Sequence, residues 1–424
     1  MIDLTPLWQA EDAHWHWRNL AAMCLAAAAF FVFSAGTRAT PPADSATDAG
    51  ARPSVVWHRP ECICRSNDGG FFVAGTMQRE GRYPYWVWRL SGDGQIVWQR
   101  EFEAENQDAP AAVIPTPDGG VLVTGTMFVY APPDIGYRTW VKKLSGDGTT
   151  VYTKTLPGYR SAQTIVATAT NRYILAGMRP NRVIGTGGYD GWVVEIDDDA
   201  SVLWERTFEG GADEGICAVM PTSDGGIICV AASGHYNKFG QGPSEVWVFK
   251  CDSTGRLLAE ARIPGARLMK AAQSIAGDGE QFAVVYSKTE LPPICEAGVT
   301  GDLSFAAGVS AFDGQLRSVW RRDVGPYCSL YTPLLLTNED RGYTVIGVTT
   351  EGLRIDKLTR EGQVAAASTI ENTALQLDNV IAVARYTDGF AGVGDVMDFQ
   401  TDREGLVLFR VEETGPKLLW SKEY

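Results

Sequence analysis

The segment Pro117–Leu156, PDGGVLVTGTMFVYAPPDIGYRTWVKKLSGDGTTVYTKTL, constrains the fold most, because its layout recurs along the chain. It holds an Asp-Gly-Gly turn, a strand ending in Thr-Gly-Thr, a long aromatic loop, a second strand, a Gly-Asp-Gly turn and a third strand. The first strand recurs as GGFFVAGT at Gly70, YILAG at Tyr173, GGIICVAAS at Gly226, FAVVYS at Phe282, GYTVIGVT at Gly342 and GFAGVGD at Gly389. With the reference copy that makes seven units, spaced by about fifty residues, a period in the range of propeller blades. The second strand recurs as WVWRLS at Trp86, WVVEID at Trp192 and WVFKCD at Trp247, and more weakly as VSAF at Val309, LRIDKL at Leu353 and LVLFRV at Leu406. A polar turn and a further strand follow each, with Trp98, Tyr152, Trp204, Trp320 and Trp420 at equivalent places. A fourth strand precedes each unit, as in AAVIPT, GICAVMPT and NVIAVARY.

Four short strands repeated seven times predict an all-β, seven-bladed β-propeller of four-stranded antiparallel blades. A single blade cannot bury both of its faces, and stacking blades around an axis solves that. The Trp of the second marker is expected to wedge between blades. Ser54–Arg59 and the C-terminal KLLWSKEY both read as third-strand segments; either one completes the last blade while the other adds an outer strand, or an eighth unit is partial, and closure that pairs the two chain ends is expected because it would remove an open edge.

The 424 residues are 45% apolar, enough for a large core, and the net charge of −14 argues against a nucleic-acid partner. Four regions follow: a polar lead (1–18), an apolar run (19–36), an Ala/Thr/Pro/Asp-rich linker expected to be disordered (37–53), and the propeller (54–424). The run NLAAMCLAAAAFFVFSAG is read as one hydrophobic helix, either a signal peptide or a membrane anchor. Export to the periplasm or cell envelope is therefore expected, with membrane contact through 19–36 if the segment is uncleaved.

The turns SGDGQIVW at Ser91, SGDGTTVY at Ser145 and DDDASVLW at Asp197 resemble the tryptophan-docking turn of quinoprotein alcohol dehydrogenase-like propellers. DGGFFVAGT and PTPDGGVLVTGT are similar to repeats of exported bacterial propeller proteins. The likeness spans Ser54–Tyr424 and implies a fold rather than an activity. Those dehydrogenases pair adjacent cysteines beneath a quinone, whereas Ile63 separates Cys62 from Cys64 here. No cofactor is expected.

No catalytic set or metal site is expected. The Asp-Gly turns have a local cause, since Asp bonds its own backbone and Gly takes positive φ. No second His or Cys stands at ligand spacing from His235. Cys217, Cys229 and Cys251 read as apolar filler on one blade, while Cys295 and Cys328, in loops of neighbouring blades, are a candidate disulfide.

The two faces of the predicted ring differ. One carries short, uniform turns. The other carries long, varied loops that hold Arg82, Tyr83, Tyr85, Tyr130, Tyr137, Arg138, Arg182, Tyr189, His235, Tyr236 and Phe239, with Arg79, Arg179 and Lys238 beside them. Aromatics mixed with arginine suit recognition of a protein or glycan partner in the cell envelope. The expected function is a binding or scaffolding module. The alternative is a polysaccharide lyase or glycosidase working at the same face.

Overall fold

The computed structural model describes residues 57–79, 83–103, 108–131, 134–181, 188–234, 244–268, 272–288, 305–328, 331–371, 375, 377–386, 388–398, 403–413 and 417–423. The polar lead, the apolar run and the linker lie outside these residues. Among the described residues no helix is long and apolar enough to cross a membrane.

The chain forms seven four-stranded antiparallel sheets, each built from four consecutive strands. Blade 1 is β1 (Trp57–Arg65), β2 (Phe71–Gln78), β3 (Tyr85–Leu90) and β4 (Ile96–Phe102). Blade 2 is β5 (Ala109–Pro115), β6 (Val121–Ala131), β7 (Asp134–Leu144) and β8 (Thr150–Thr155). Blade 3 is β9 (Ser161–Ala169), β10 (Arg172–Pro180), β11 (Tyr189–Asp197) and β12 (Val202–Phe208). Blade 4 is β13 (Asp213–Pro221), β14 (Ile227–Gly234), β15 (Ser244–Cys251) and β16 (Leu257–Pro264). Blade 5 is β17 (Ile275–Gly277), β18 (Gln281–Ser287), β19 (Phe305–Asp313) and β20 (Ser318–Tyr327). Blade 6 is β21 (Leu334–Thr337), β22 (Tyr343–Thr349), β23 (Gly352–Leu358) and β24 (Val364–Glu371). Blade 7 is β25 (Asn379–Tyr386), β26 (Gly389–Asp398), β27 (Arg403–Glu412) and β28 (Lys417–Glu423). This is the expected seven-bladed propeller.

Burial explains the composition of the strands. The middle strands are covered on both faces by neighbouring blades, so they read as apolar runs without alternation; all six residues of β3 are buried. The outermost strands are mostly exposed, as in β4. The apolar clusters run from blade to blade. Trp140 and Val141 of blade 2 fall in different clusters, one shared with blade 1 and the other with blade 3. Trp86, Trp140, Trp192 and Trp247 are buried wedges, as expected.

The outer aromatics dock into the following blade. Trp98 donates Nε1–H to the Gly146 carbonyl at 2.8 Å, and Trp320 does the same to Arg360 at 2.7 Å. Tyr152 donates its hydroxyl to the Asp198 carbonyl at 2.8 Å. Gly148 has φ +81°, and a Cβ there would stand 2.9 Å from the Trp98 ring, so both the turn and the docked ring require glycine.

Ring closure departs from expectation. Among the described residues β1 pairs only with β2 and β28 only with β27, so no described sheet combines strands from the two ends; residues 54–56 of the first segment lie outside the described residues. The stretch that resembles a third strand of the repeat, Trp57–Arg59, is the start of the innermost strand of blade 1. The seam is closed by packing instead: Ile63, Phe71 and Trp86 of blade 1 share a buried cluster with Ile381, Ala384 and Leu408 of blade 7, with Trp420 packed against it. Every blade therefore has the same internal order, and side-chain burial does at this seam what it does at the other six.

Candidate binding face

The tight-turn face joins the first strand of each blade to the second and the third to the fourth. Its polar groups are largely engaged in structure, within each blade and in places across to the next. Asp118 accepts hydrogen bonds from the Thr116 hydroxyl and from Gly120 N at 3.2 Å, and it pairs with Lys143 at 2.9 Å. Lys143, nearly buried, also meets Asp198 of blade 3 at 2.5 Å. The same pairing of a turn aspartate with a basic residue of the third strand recurs as Arg89–Asp68, Lys250–Asp224 and Arg410–Asp388. Hydrogen bonds and the paired cation hold these acids low. Ser66 lowers Asp68 to about 2, Thr116 and then Lys143 lower Asp118 to about 2, and Lys250 and then Thr222 lower Asp224 to about 2. The Asp-Gly turns thus serve structure, by a more extended network than the local Asp–backbone bond alone.

The opposite face carries the links from second to third strand and from blade to blade. Of the residues assigned to it from sequence, Arg82, Arg182, His235, Tyr236 and Phe239 lie outside the described residues. Tyr130 ends β6 opposite Ile135 of β7, and its side chain is likewise outside the description. Tyr83 and Tyr189 are half-buried at this face. Tyr137 is half-buried with its ring 5.0 Å from that of Phe128, and the Arg138 guanidinium lies 5.4 Å from the centre of the Tyr159 ring. Tyr85 is a correction. It is 4% exposed and stacked between Phe102 and Trp140, at 5.0 and 4.9 Å, so it belongs to the core between blades 1 and 2. The tyrosine that appears to end a loop is the first residue of a strand buried on both faces. Cys328 follows β20, but Cys295 lies outside the described residues, as does any bond between them. Cys229 and Cys251 are buried in the core shared by blades 3 and 4, where burial raises Cys251 to about 12, in keeping with their reading as filler.

The loop face also holds a polar recess that sequence reasoning did not assemble. Arg179 and Asn181 at the end of β10, Asp190 at the start of β11, and Thr207 and Glu209 at the end of β12 line about 360 Å³. Arg179 donates to the Thr207 hydroxyl at 3.1 Å, and Asn181 donates to Asp190 Oδ1 at 2.8 Å. Beside it, buried Glu214 accepts from Ala212 N at 2.7 Å and from the Ser233 hydroxyl at 3.3 Å. Burial raises its carboxyl above the ordinary range and the nearby Asp190 adds to this, although the amides of Ala212 and Gly210 and the Ser233 hydroxyl pull it down. Arg179 is the one member of the recess noticed in the sequence. The others come from three strands that no motif links. Among the described residues no group of three His, Cys, Asp or Glu side chains is placed to hold a metal.

The strand pairing and the cyclic packing define a seven-bladed β-propeller. No protein-family model and no curated protein matches the chain. Among solved structures it is similar to Sqt1 of Chaetomium thermophilum, at 10% identity and TM-score 0.47 over 86% of each chain. It is also similar to the propeller domain of the Trilobed protease from Pyrococcus furiosus, at 10% identity and TM-score 0.46 over 86% of this chain and 95% of that one. A third likeness is to Drosophila Plexin A, in a complex with Semaphorin 1b, at 8% identity and TM-score 0.45 over 83% and 84%. At such identities a likeness concerns chain path alone, and the propeller assignment rests on this chain's own sheets.

Proposed function

We propose that the protein is a recognition propeller that captures a protein or glycan partner with its long-loop face, and that it is exported and held at the cell envelope by residues 19–36. The contrast between the faces carries this reading. On one side turn carboxylates pair with a cation of their own blade and turn carbonyls accept from the outer aromatic of the preceding blade, so the same polar groups are engaged in structure at several blades. On the other, connections of unequal length carry Tyr137, Arg138, Tyr189 and the recess lined by Arg179 and Glu209, side chains of the kinds enriched where partners bind. A lyase or glycosidase draws less support. Asp190 accepts from the Asn181 side chain and Glu214 from the amide of residue 212, so both carboxyls already have a local structural role.

The test compares the protein with a Tyr137→Ala/Arg138→Ala/Tyr236→Ala variant in pull-downs from envelope fractions and on glycan arrays. Capture should be lost from the variant while its melting temperature stays nearly unchanged, because a surface change of about 1 kcal/mol shifts the melting of so large a domain little. Undiminished capture would remove the assignment of this face.

A further inference from the structure

The outer flank between blades 3 and 4 opens into a cleft of about 700 Å³ that shares Thr207 and Glu209 with the recess on the loop face. Its walls are the ends of two edge strands. β12 and β16 are the outermost strands of their sheets, so each has one side without a strand partner. Phe208 and Leu257 line it, and the indole of Trp247 lies within it under the guanidinium of Arg262, 4.8 Å from the ring centre. Of the apolar side chains in the lining, Leu257 at the start of β16 is 43% exposed, while Phe208 and Trp247 are buried beneath it at 7% and 2%.

The charges of this flank stand apart from those of the chain. The protein carries a net −14, yet the cleft is lined by Arg206, Arg256 and Arg262 against Glu209 and Glu260, and neither Arg206 nor Arg256 belongs to an ion pair among the described residues. Arg206 donates only to the carbonyl of Glu205, at 2.8 Å, and its stem crosses Gly255. Arg179 continues the series into the recess, where its guanidinium bonds a hydroxyl rather than an acid. Arg262 is neutralised locally by Glu245 and Glu260.

We propose that this cleft is a second docking site, distinct from the loop face, and that its occupant is an extended acidic peptide with apolar side chains. An extended segment can hydrogen-bond to a free strand edge while successive side chains point to opposite sides. Here one side would meet Leu257 and Phe208, and the other would place carboxylates on Arg206 and Arg256 as charge-assisted pairs. An anionic glycan matches the arginines but leaves exposed Leu257 uncovered, so the peptide is favoured.

The experiment is selection of a random octapeptide library against the full chain, in parallel with Arg256→Glu and Arg206→Glu/Arg256→Glu variants whose melting is checked first. Arg256 is exposed at the end of a turn, so its single variant tests charge without touching the core. The expected result is enrichment of peptides that combine Asp or Glu with Leu, Ile, Val or Phe, bound on the order of tenfold more weakly by Arg256→Glu, which corresponds to about 1.4 kcal/mol. Absence of enrichment, or binding to both variants as tight as to the unaltered chain, overturns the proposal. So does selective binding of oligogalacturonate without peptide enrichment, which would assign the arginines to a glycan. The Tyr137/Arg138/Tyr236 variant should retain peptide binding, so failure at one face is distinguishable from failure at the other.

Discussion

At the residue scale, the interior is organised by pairs of one large and one small side chain. Gly75 faces Trp86, Gly125 faces Trp140, Gly177 faces Trp192, and Ala231 faces Trp247 across adjacent strands. A Cβ at Gly125 would approach the Trp140 ring to 2.3 Å. Blade 5 inverts the pair: Tyr286 stands on the second strand and Gly308 on the third, where a Cβ would come within 2.4 Å of the tyrosine ring. Gly308→Ala should therefore cost about 1–3 kcal/mol by overpacking. Tyr286→Ala should remove that clash, so the double variant should be markedly less destabilised than the sum of the singles in urea titrations. Glu214 makes a second prediction. Its folded pKa is raised, so its contribution is fully present below the ordinary glutamate range and is lost as pH rises through the folded value. Glu214→Gln keeps an acceptor for Ala212 N, and should gain stability relative to the wild type as pH rises above the ordinary glutamate range of about 4.3. A wild type that gains over the variant across that rise would contradict the assignment.

At the element scale, the tight turns were the most legible part of the chain, because Asp-Gly turn chemistry is local. What the turn sequences do not reveal is the partner of each aspartate. Lys143 lies 25 residues after Asp118 in sequence, and Asp198 belongs to the next blade. The folded pKa values of about 2 lie below the ordinary value, so the stability these acids contribute is present above about pH 3.9 and lost as pH falls through about 2. Acid unfolding followed by circular dichroism should show this loss, and Asp118→Asn should shift the midpoint to higher pH; an unchanged midpoint would mean that Asp118 carries no such linkage. The long loops were legible as a class, by length and aromatic content. Tyr85 was not, because its burial depends on Trp140 arriving from another blade.

At the scale of the whole molecule, seven self-contained sheets close by packing at every seam, including the one between the chain ends. A ring of that kind has no privileged break. β1 begins and β28 ends on the loop face of adjacent blades, so joining residue 423 to residue 57 through a flexible linker and opening the chain between β16 and β17 should yield a folded permutant. Opening it between β14 and β15 would divide a sheet and should fail to give soluble protein. Gel filtration and thermal melting decide between them; failure of the first permutant would mean that the seam between blades 1 and 7 needs more than the shared cluster around Trp86.

The number of units, the strand content, the wedge tryptophans and the difference between the two faces were all present in the amino-acid order. Each is written in periods and turns that act within a few residues of one another. Closure without a shared sheet, the burial of Tyr85 and the clefts beside blade 3 were decided only by tertiary structure. They depend on which blade lies against which, and side chains that meet there, such as Arg206 and Leu257, come from separate sheets joined by no pattern in the chain.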